Sequence, residues 1–242
     1  MAISQRQKKL IKSLHLKKNR KEEQCFLVEG AKSVLELLSS DFEVVLVAGT
    51  ADFLGQHAVP GGEIVEVKEA ELAGLGEFQS NNAALAVARM KPNARLEVAA
   101  DEFALVLDDI RDPGNLGTIM RTADWFGIHK VIASEETADC YSSKVITSTM
   151  GSFTRTRVYY TRLEEYLGQS PARVFGAYLN GTSIHEVSFG QGGLVLIGNE
   201  SRGISSSLEP FVTDRVTIPR YGQAESLNAA IATAIFCDNL RR

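Results

Sequence analysis

The sequence predicts an α/β protein in two parts, the second built on a mostly parallel sheet, and three observations carry that prediction. Short Val/Leu/Ile-rich runs alternate with helical periods along nearly the whole chain. From Phe103 onward those runs become near-continuous and apolar, as strands buried on both faces require. Between the two parts, Met90-Lys91-Pro92-Asn93-Ala94-Arg95 breaks the pattern with a proline and polar residues, which marks a linker.

A chain of 242 residues with 44% hydrophobic composition can bury a full core as one large or two modest domains. No run approaches the roughly eighteen apolar residues of a membrane span. The N-terminus is basic but lacks the apolar block of a signal peptide, so a cytoplasmic protein is expected. Cys25, Cys140 and Cys237 are widely spaced, which fits free thiols and neither a disulfide frame nor a zinc site. The four histidines show no ligand spacing, so no metal is expected.

Charge is distributed unevenly. Residues 1–21 carry Arg6, Lys8, Lys9, Lys12, Lys17, Lys18, Arg20 and Lys21 without one acid, a charge of +8. That leaves −12 on the rest of a chain whose net charge is −4. Such asymmetry fits a local contact with a polyanion, and equally a solvated terminal helix.

In the first part, Lys8–Leu16 spaces Leu10, Ile11 and Leu14 as a helix would, with lysines on the other face. Phe26-Leu27-Val28 reads as a short strand, and Val34–Leu38 belongs to the helix after Glu29-Gly30. Glu43–Ala48 and Glu63–Val67 read as strands, Glu69–Leu75 as a short helix and Ala83–Met90 as a last strand.

In the second part the candidate strands are Ala104–Asp108, Lys130–Ala133, Arg157–Tyr160, Arg173–Leu179, Leu194–Gly198 and Arg215–Ile218. Polar residues gather in the loops after them, where ligands bind in open α/β sheets. The first loop runs from Asp108 into a helix, with a turn at Asp112-Pro113-Gly114 and Asn115 as the expected cap. Gly127 is placed to end that helix. Arg121 lies inside it, and a guanidinium there wants either solvent or an anion such as phosphate.

The second loop, Gly198-Asn199-Glu200-Ser201-Arg202-Gly203, brackets a carboxylate and an arginine with glycines. The third follows the strand ending at Pro219, and Ser226 is the expected cap of the helix beyond it. That helix carries Leu227, Ala230, Ile231, Ala234, Ile235 and Leu240 as a broad apolar face. No dinucleotide glycine fingerprint follows the first strand and no Walker lysine loop is present, so those classes lose their main support.

Taken together, three ordered motifs strongly resemble those of the SpoU (TrmH-like) RNA 2′-O-ribose methyltransferases of the SPOUT superfamily. They are Asn115-x-Gly117-x-x-x-Arg121-Thr122-Ala123, Gly198-Asn199-Glu200-x-x-Gly203 and Ile218-Pro219-x-x-Gly222-x-x-x-Ser226-Leu227-Asn228. Met150-Gly151-Ser152 also matches a family segment, although Ser148 and Thr149 before it depart from the usual pattern. Lys17–Leu38, with Phe26-Leu27-Val28-Glu29-Gly30, looks like the small ribosomal-protein-like RNA-binding domain that many members carry.

The resemblance implies an RNA substrate-binding domain over residues 1–92 and a methyltransferase domain over 103–242, with a trefoil knot, a rare feature in proteins. It further implies S-adenosyl-L-methionine as cofactor, RNA (ribosomal RNA above tRNA) as substrate, and a homodimer. By position, Leu179, Gly198, Ile218 and Leu227 would contact the cofactor, and Arg121, Asn115, Glu200, Ser226 and Asn228 would serve the chemistry. The competing readings are a base-modifying relative and an RNA-binding protein that has lost catalysis. Intact Asn115, Arg121, Glu200 and Asn228 speak against the second.

Overall fold

The computed structural model describes residues 3–78 and 81–242. Along the first part run α1 (Gln5–Ser13), α2 (Lys17–Glu23), β1 (Cys25–Glu29), α3 (Ala31–Leu38), β2 (Val44–Gly49), α4 (Ala51–Gln56), β3 (Glu63–Glu66), α5 (Glu69–Leu75) and β4 (Ala84–Arg89). Then come β5 (Phe103–Leu107), α6 (Pro113–Trp125), β6 (Lys130–Ala133), α7 (Ser143–Thr149), β7 (Arg157–Tyr160) and α8 (Leu163–Gly168). The chain ends with β8 (Val174–Ser183), β9 (Gly193–Ile197), β10 (Asp214–Thr217) and α9 (Ala229–Asn239). Among the described residues, no helix is long and apolar enough to cross a membrane.

Two compact units form: Met1–Pro92 with Asp139–Thr154, and Asn93–Ala138 with Arg155–Arg242. The first unit thus holds Asp139–Thr154, which the sequence reading leaves in the second part. Side chains account for this. Asp139 pairs with buried Arg20, Phe26 meets the rings of Tyr141 and Phe153, and α7 packs on β1.

The sheet of the first unit has the order β1-β4-β2-β3, with only β2 and β3 parallel. Its core joins Ile11, Leu14, Leu27, Leu46, Leu72, Leu85 and Val87. Each such fully buried aliphatic side chain contributes roughly 1.5–3 kcal/mol. Glu29, at the end of β1, is only 6% exposed and accepts the N–H groups of Glu77 and Phe78 at 3.0 and 3.3 Å. Burial pushes its pKa up and those two bonds pull it back. A side chain on Gly76 would collide with this carboxylate. The Glu29 of the Phe26–Gly30 motif is therefore a buried latch of its own unit.

Arg20 corrects the reading of the basic arm. It is 4% exposed and tied inside the unit, so it is not available to a polyanion. Lys8 is paired with Glu71 at 3.2 Å. Lys9, Lys12, Lys17 and Lys21 remain exposed, without an ion pair among the described residues.

The second unit is a six-stranded sheet of order β10-β8-β9-β5-β6-β7, and every pairing in it is parallel. The α/β fold with a parallel sheet is as the sequence predicts. Every residue of β5 and β9 is buried, because the sheet is covered on both faces. One face packs Val106, Ile132, Leu194 and Leu196 against Leu163, Tyr166 and Leu167 of α8. On the other side α6 and α9 pack together, and α9 touches β9. The face α9 buries is Ala229, Ala230, Thr233, Phe236 and Cys237; Ile231, expected to be buried, is 53% exposed.

Strand β8 runs longer than its apolar stretch suggests. Arg215 of β10 lies opposite Gly176, but the next residue, Val216, lies opposite Thr182. Residues 177–181 therefore loop out of the ladder, an excess far beyond an ordinary bulge. Leu179 sits on that excursion, 72% exposed, and its carbonyl accepts the Thr217 hydroxyl at 3.0 Å.

Candidate active site

All strands of the second unit run the same way, so the loops after β5, β9 and β10 emerge on one edge of the sheet. A chain of side-chain hydrogen bonds joins these three loops. Asn228 donates from Nδ2 to Oδ1 of Asn115 at 2.9 Å, and Asn115 donates from Nδ2 to Oε1 of Glu200 at 2.6 Å. Each amide is oriented by its other partner. The Oδ1 of Asn228 accepts the N–H groups of Ala230 and Ile231, so Asn228 caps α9 while it holds Asn115. The structure thus brings together Asn115, Glu200 and Asn228, residues separated by up to 113 positions in sequence.

Two expected caps move. The N-cap of α6 is Asp112, whose carboxylate accepts the Asn115 N–H at 2.8 Å, with Pro113 in the first turn. Aspartate before proline is the stronger start signal, since proline lacks a donor the first turn would leave unpaired. Asn115 is thereby freed for its contacts across the site. Likewise Asn228, not Ser226, caps α9, because the Ala-rich helical run begins at Ala229. Ser226 is exposed on the preceding loop.

Arg121 lies six residues beyond Asn115 on α6, about 9 Å along the axis at 1.5 Å per residue. It is exposed, makes no hydrogen bond or ion pair among the described residues, and shares its helix face with Trp125, 85% exposed. It therefore stands outside the trio of its own chain. Gly127, with φ +68°, ends α6 as expected.

The loop after β9 is tightly built. A side chain at Gly198 would overlap the backbone of Gly203 and Ile204, where Asn199 and Gly203 bridge. Asn199 accepts the N–H groups of Ser201 and Arg202 and donates to the carbonyl of Asp109 at 2.8 Å. Asp109, a residue the sequence did not single out, takes the left-handed conformation at φ +58°. Its carboxylate binds Arg111 at 2.6 Å, and that bond and charge hold the guanidinium above its ordinary pKa. No local signal predicts this role, because the partners come from three separate loops.

Leu179 lies on β8, Ile218 follows β10 directly and Leu227 stands two residues before α9. Leu179 and Ile218 are neighbours through the Thr217 bond, Ile218 is half-buried, and Leu227 is 46% exposed. Among the described residues, the backbone N–H groups from Tyr221 to Leu227 find no partner. Apolar side chains beside unused backbone donors make a surface suited to a flat heterocycle.

Known proteins match this chain in sequence and in fold. The SpoU rRNA methylase family model matches residues 102–238, and an MRM3-like substrate binding domain matches residues 6–86. The 23S rRNA (guanosine(2553)-2′-O)-methyltransferase RlmP of Bacillus subtilis is 33% identical over 236 residues, spanning 95% of this chain and 94% of that protein. A putative RNA methyltransferase of the TrmH family from Porphyromonas gingivalis superposes with a TM-score of 0.89 at 36% identity, over 99% and 98% of the two chains. The SpoU methyltransferase AviRb of Streptomyces viridochromogenes, in complex with AdoMet, gives a TM-score of 0.86 at 25% identity, over 98% and 97%. On its motifs, its fold and these matches, the chain belongs to the SpoU rRNA methylase family.

Proposed function

We propose that this protein transfers a methyl group from S-adenosyl-L-methionine to a ribose 2′-hydroxyl of ribosomal RNA. The observation that carries the reading is the Asn228–Asn115–Glu200 hydrogen-bond chain, which assembles three family motifs on one sheet edge. The cofactor fits the residues present. Leu179, Ile218 and Leu227 would flank its adenine, and the unpaired N–H groups of Tyr221–Leu227 would meet its polar atoms. Gly198 keeps the β9 loop tight enough to form the floor.

When bound, the cofactor supplies a sulfonium-activated methyl group, so the transfer is an in-line displacement that demands positioning above all. Asn115, Glu200 and Asn228 hold the loops in register for it. Arg121 is the cation for the substrate: its guanidinium offers N–H donors in a planar fork and no acceptor, so it binds a phosphate and stabilises negative charge developing on the 2′-oxygen. Ser226, exposed on the same loop as Leu227, would meet substrate.

A homodimer completes this reading. Trp125 on α6 and Ile231 on α9, with Tyr221 at 93% exposure, are the apolar surface that a second copy would cover. Arg121, on the same face as Trp125, would then serve a site shared between copies. We also infer a trefoil knot around the last helix, residues 1–92 as the substrate-binding part, residues 103–242 as the catalytic part, and a cytoplasmic setting. Family membership supports the knot, and the matched stretches, residues 6–86 and 102–238, support the two parts.

Calorimetry tests the cofactor. S-adenosylhomocysteine should bind the full chain, and Leu227→Arg should weaken it at least about tenfold, the loss of one apolar contact. Heat from NADH with none from either adenosyl compound would sink the assignment. The basic arm has its own test. Replacing Lys9, Lys12, Lys17 and Lys21 with alanine should flatten the salt dependence of ribosomal RNA binding, by roughly 0.7 log unit per lost phosphate contact. An unchanged slope would mean that these lysines only face solvent.

A further inference from the structure

The second unit holds another cleft, of about 380 Å³, at the carboxyl ends of β5, β6 and β7. That size falls within the range of ligand pockets, roughly 300–1,000 Å³. Its lining mixes the arginines at 111, 162 and 202 with the carboxylates of Asp108, Asp109, Glu135, Glu136 and Glu164. Arg111 and Arg202 come from two different motif loops and meet on one carboxylate, at 2.6 and 3.3 Å from Asp109. Asp109 is itself fixed, donating its N–H to Ser134 at 3.0 Å and accepting from Asn199. Opposite charges come from the β6 loop, where Glu135 and Glu136 are exposed and make no hydrogen bond or ion pair among the described residues.

This lining selects against simple ions. A phosphate would face Glu135 and Glu136, and a bare cation would face the arginines. A flat group with N–H donors on one edge and ring acceptors on the other satisfies both sets, and a splayed-out nucleobase is such a group. Guanine fits best, since its O6 and N7 accept from arginine while its N1–H and amino group donate to carboxylates. Uracil lacks the amino group. Arg111 stands four residues before Asn115, and Arg202 two after Glu200, so the cleft shares its loops with the trio.

We propose that this cleft receives a nucleobase of the substrate RNA near the methylated ribose, and that guanine is the base it fits. The proposal rests on the ribose methyltransferase reading. It assigns Arg111, Arg202, Glu135 and Glu136 to substrate selection and not to methyl transfer.

The test is a nuclear magnetic resonance titration of the isotope-labelled full chain with GMP, UMP, inorganic phosphate and Mg²⁺, each alone. GMP should shift the amide signals of Asp109, Glu135, Glu136 and Ser205, at concentrations at least about tenfold lower than UMP, the discrimination of one bidentate pair. Glu135→Gln with Glu136→Gln should remove that preference. Equal shifts from GMP and UMP, shifts reproduced by phosphate or Mg²⁺ alone, or silence at these amides would each overturn the proposal. Adding S-adenosylhomocysteine to the same samples separates the two levels. If it binds while GMP leaves the cleft untouched, only this proposal fails; if it does not bind, the methyltransferase reading fails.

Discussion

Arg121→Ala should lower methyl transfer by at least about a hundredfold, the cost of removing one donor aimed at developing negative charge. The fold should survive, since the side chain is exposed and makes no hydrogen bond or ion pair among the described residues. Cofactor affinity should change little, because the residues assigned to it lie on β8 and after β9 and β10. Arg121→Lys should fail almost as badly, as an ammonium keeps the charge but loses the planar fork. Single-turnover assays on ribosomal RNA, with calorimetry for the cofactor, read both quantities. Near-normal turnover of the alanine variant would reduce Arg121 to a surface residue. Cofactor binding lost together with turnover would mean that its role is not confined to the substrate.

The largest effect on stability is expected at Arg20. Its Nη1 donates to the carbonyls of Leu14 and His15 at 2.8 and 2.9 Å, and its Nη2 reaches Asp139 at 2.7 Å. Alanine there would leave two carbonyls and a carboxylate poorly solvated, a loss of roughly 3–5 kcal/mol for a broken buried pair. Hydrogen exchange of the β1 and β4 amides in the full chain would report it, as both strands lie in the first unit. The double variant Arg20→Ala with Asp139→Ala should cost less than the sum of the single changes, since the stranded charge is gone. A loss below about 1 kcal/mol, the scale of an exposed pair, would show that solvent already screens Arg20.

Arg20 also shows where sequence reasoning stops. Eight cations without an acid look like one exposed arm, but charge counting cannot see that Arg20 faces inward toward Asp139. The fully buried strands β5 and β9 were legible because their apolar runs admit few other readings. Helix α2 was not, since Lys-Lys-Asn-Arg-Lys-Glu-Glu has no apolar period; α4 is six residues long. The site motifs were legible as sets of residues but not as contacts. Asn115 looked like the cap of its own helix and Asn228 like a loop residue beside a capping Ser226, and only the folded chain aligns their amides. The excursion of residues 177–181 left no mark, because it depends on where β10 re-enters the ladder. Asp109 shows the same limit, being held in a left-handed turn by Ser134 and Asn199 from elsewhere in the sheet.

We hold that this chain methylates a ribose hydroxyl of ribosomal RNA. Mapping ribose methylation across total RNA, from cells with the protein and from cells in which it has been deleted, tests that claim most directly. A 2′-O-methyl mark in ribosomal RNA should disappear on deletion and return with the wild-type chain but not with Arg121→Ala. An unchanged set of ribose marks, or a lost methyl group that proves to sit on a base, would contradict it.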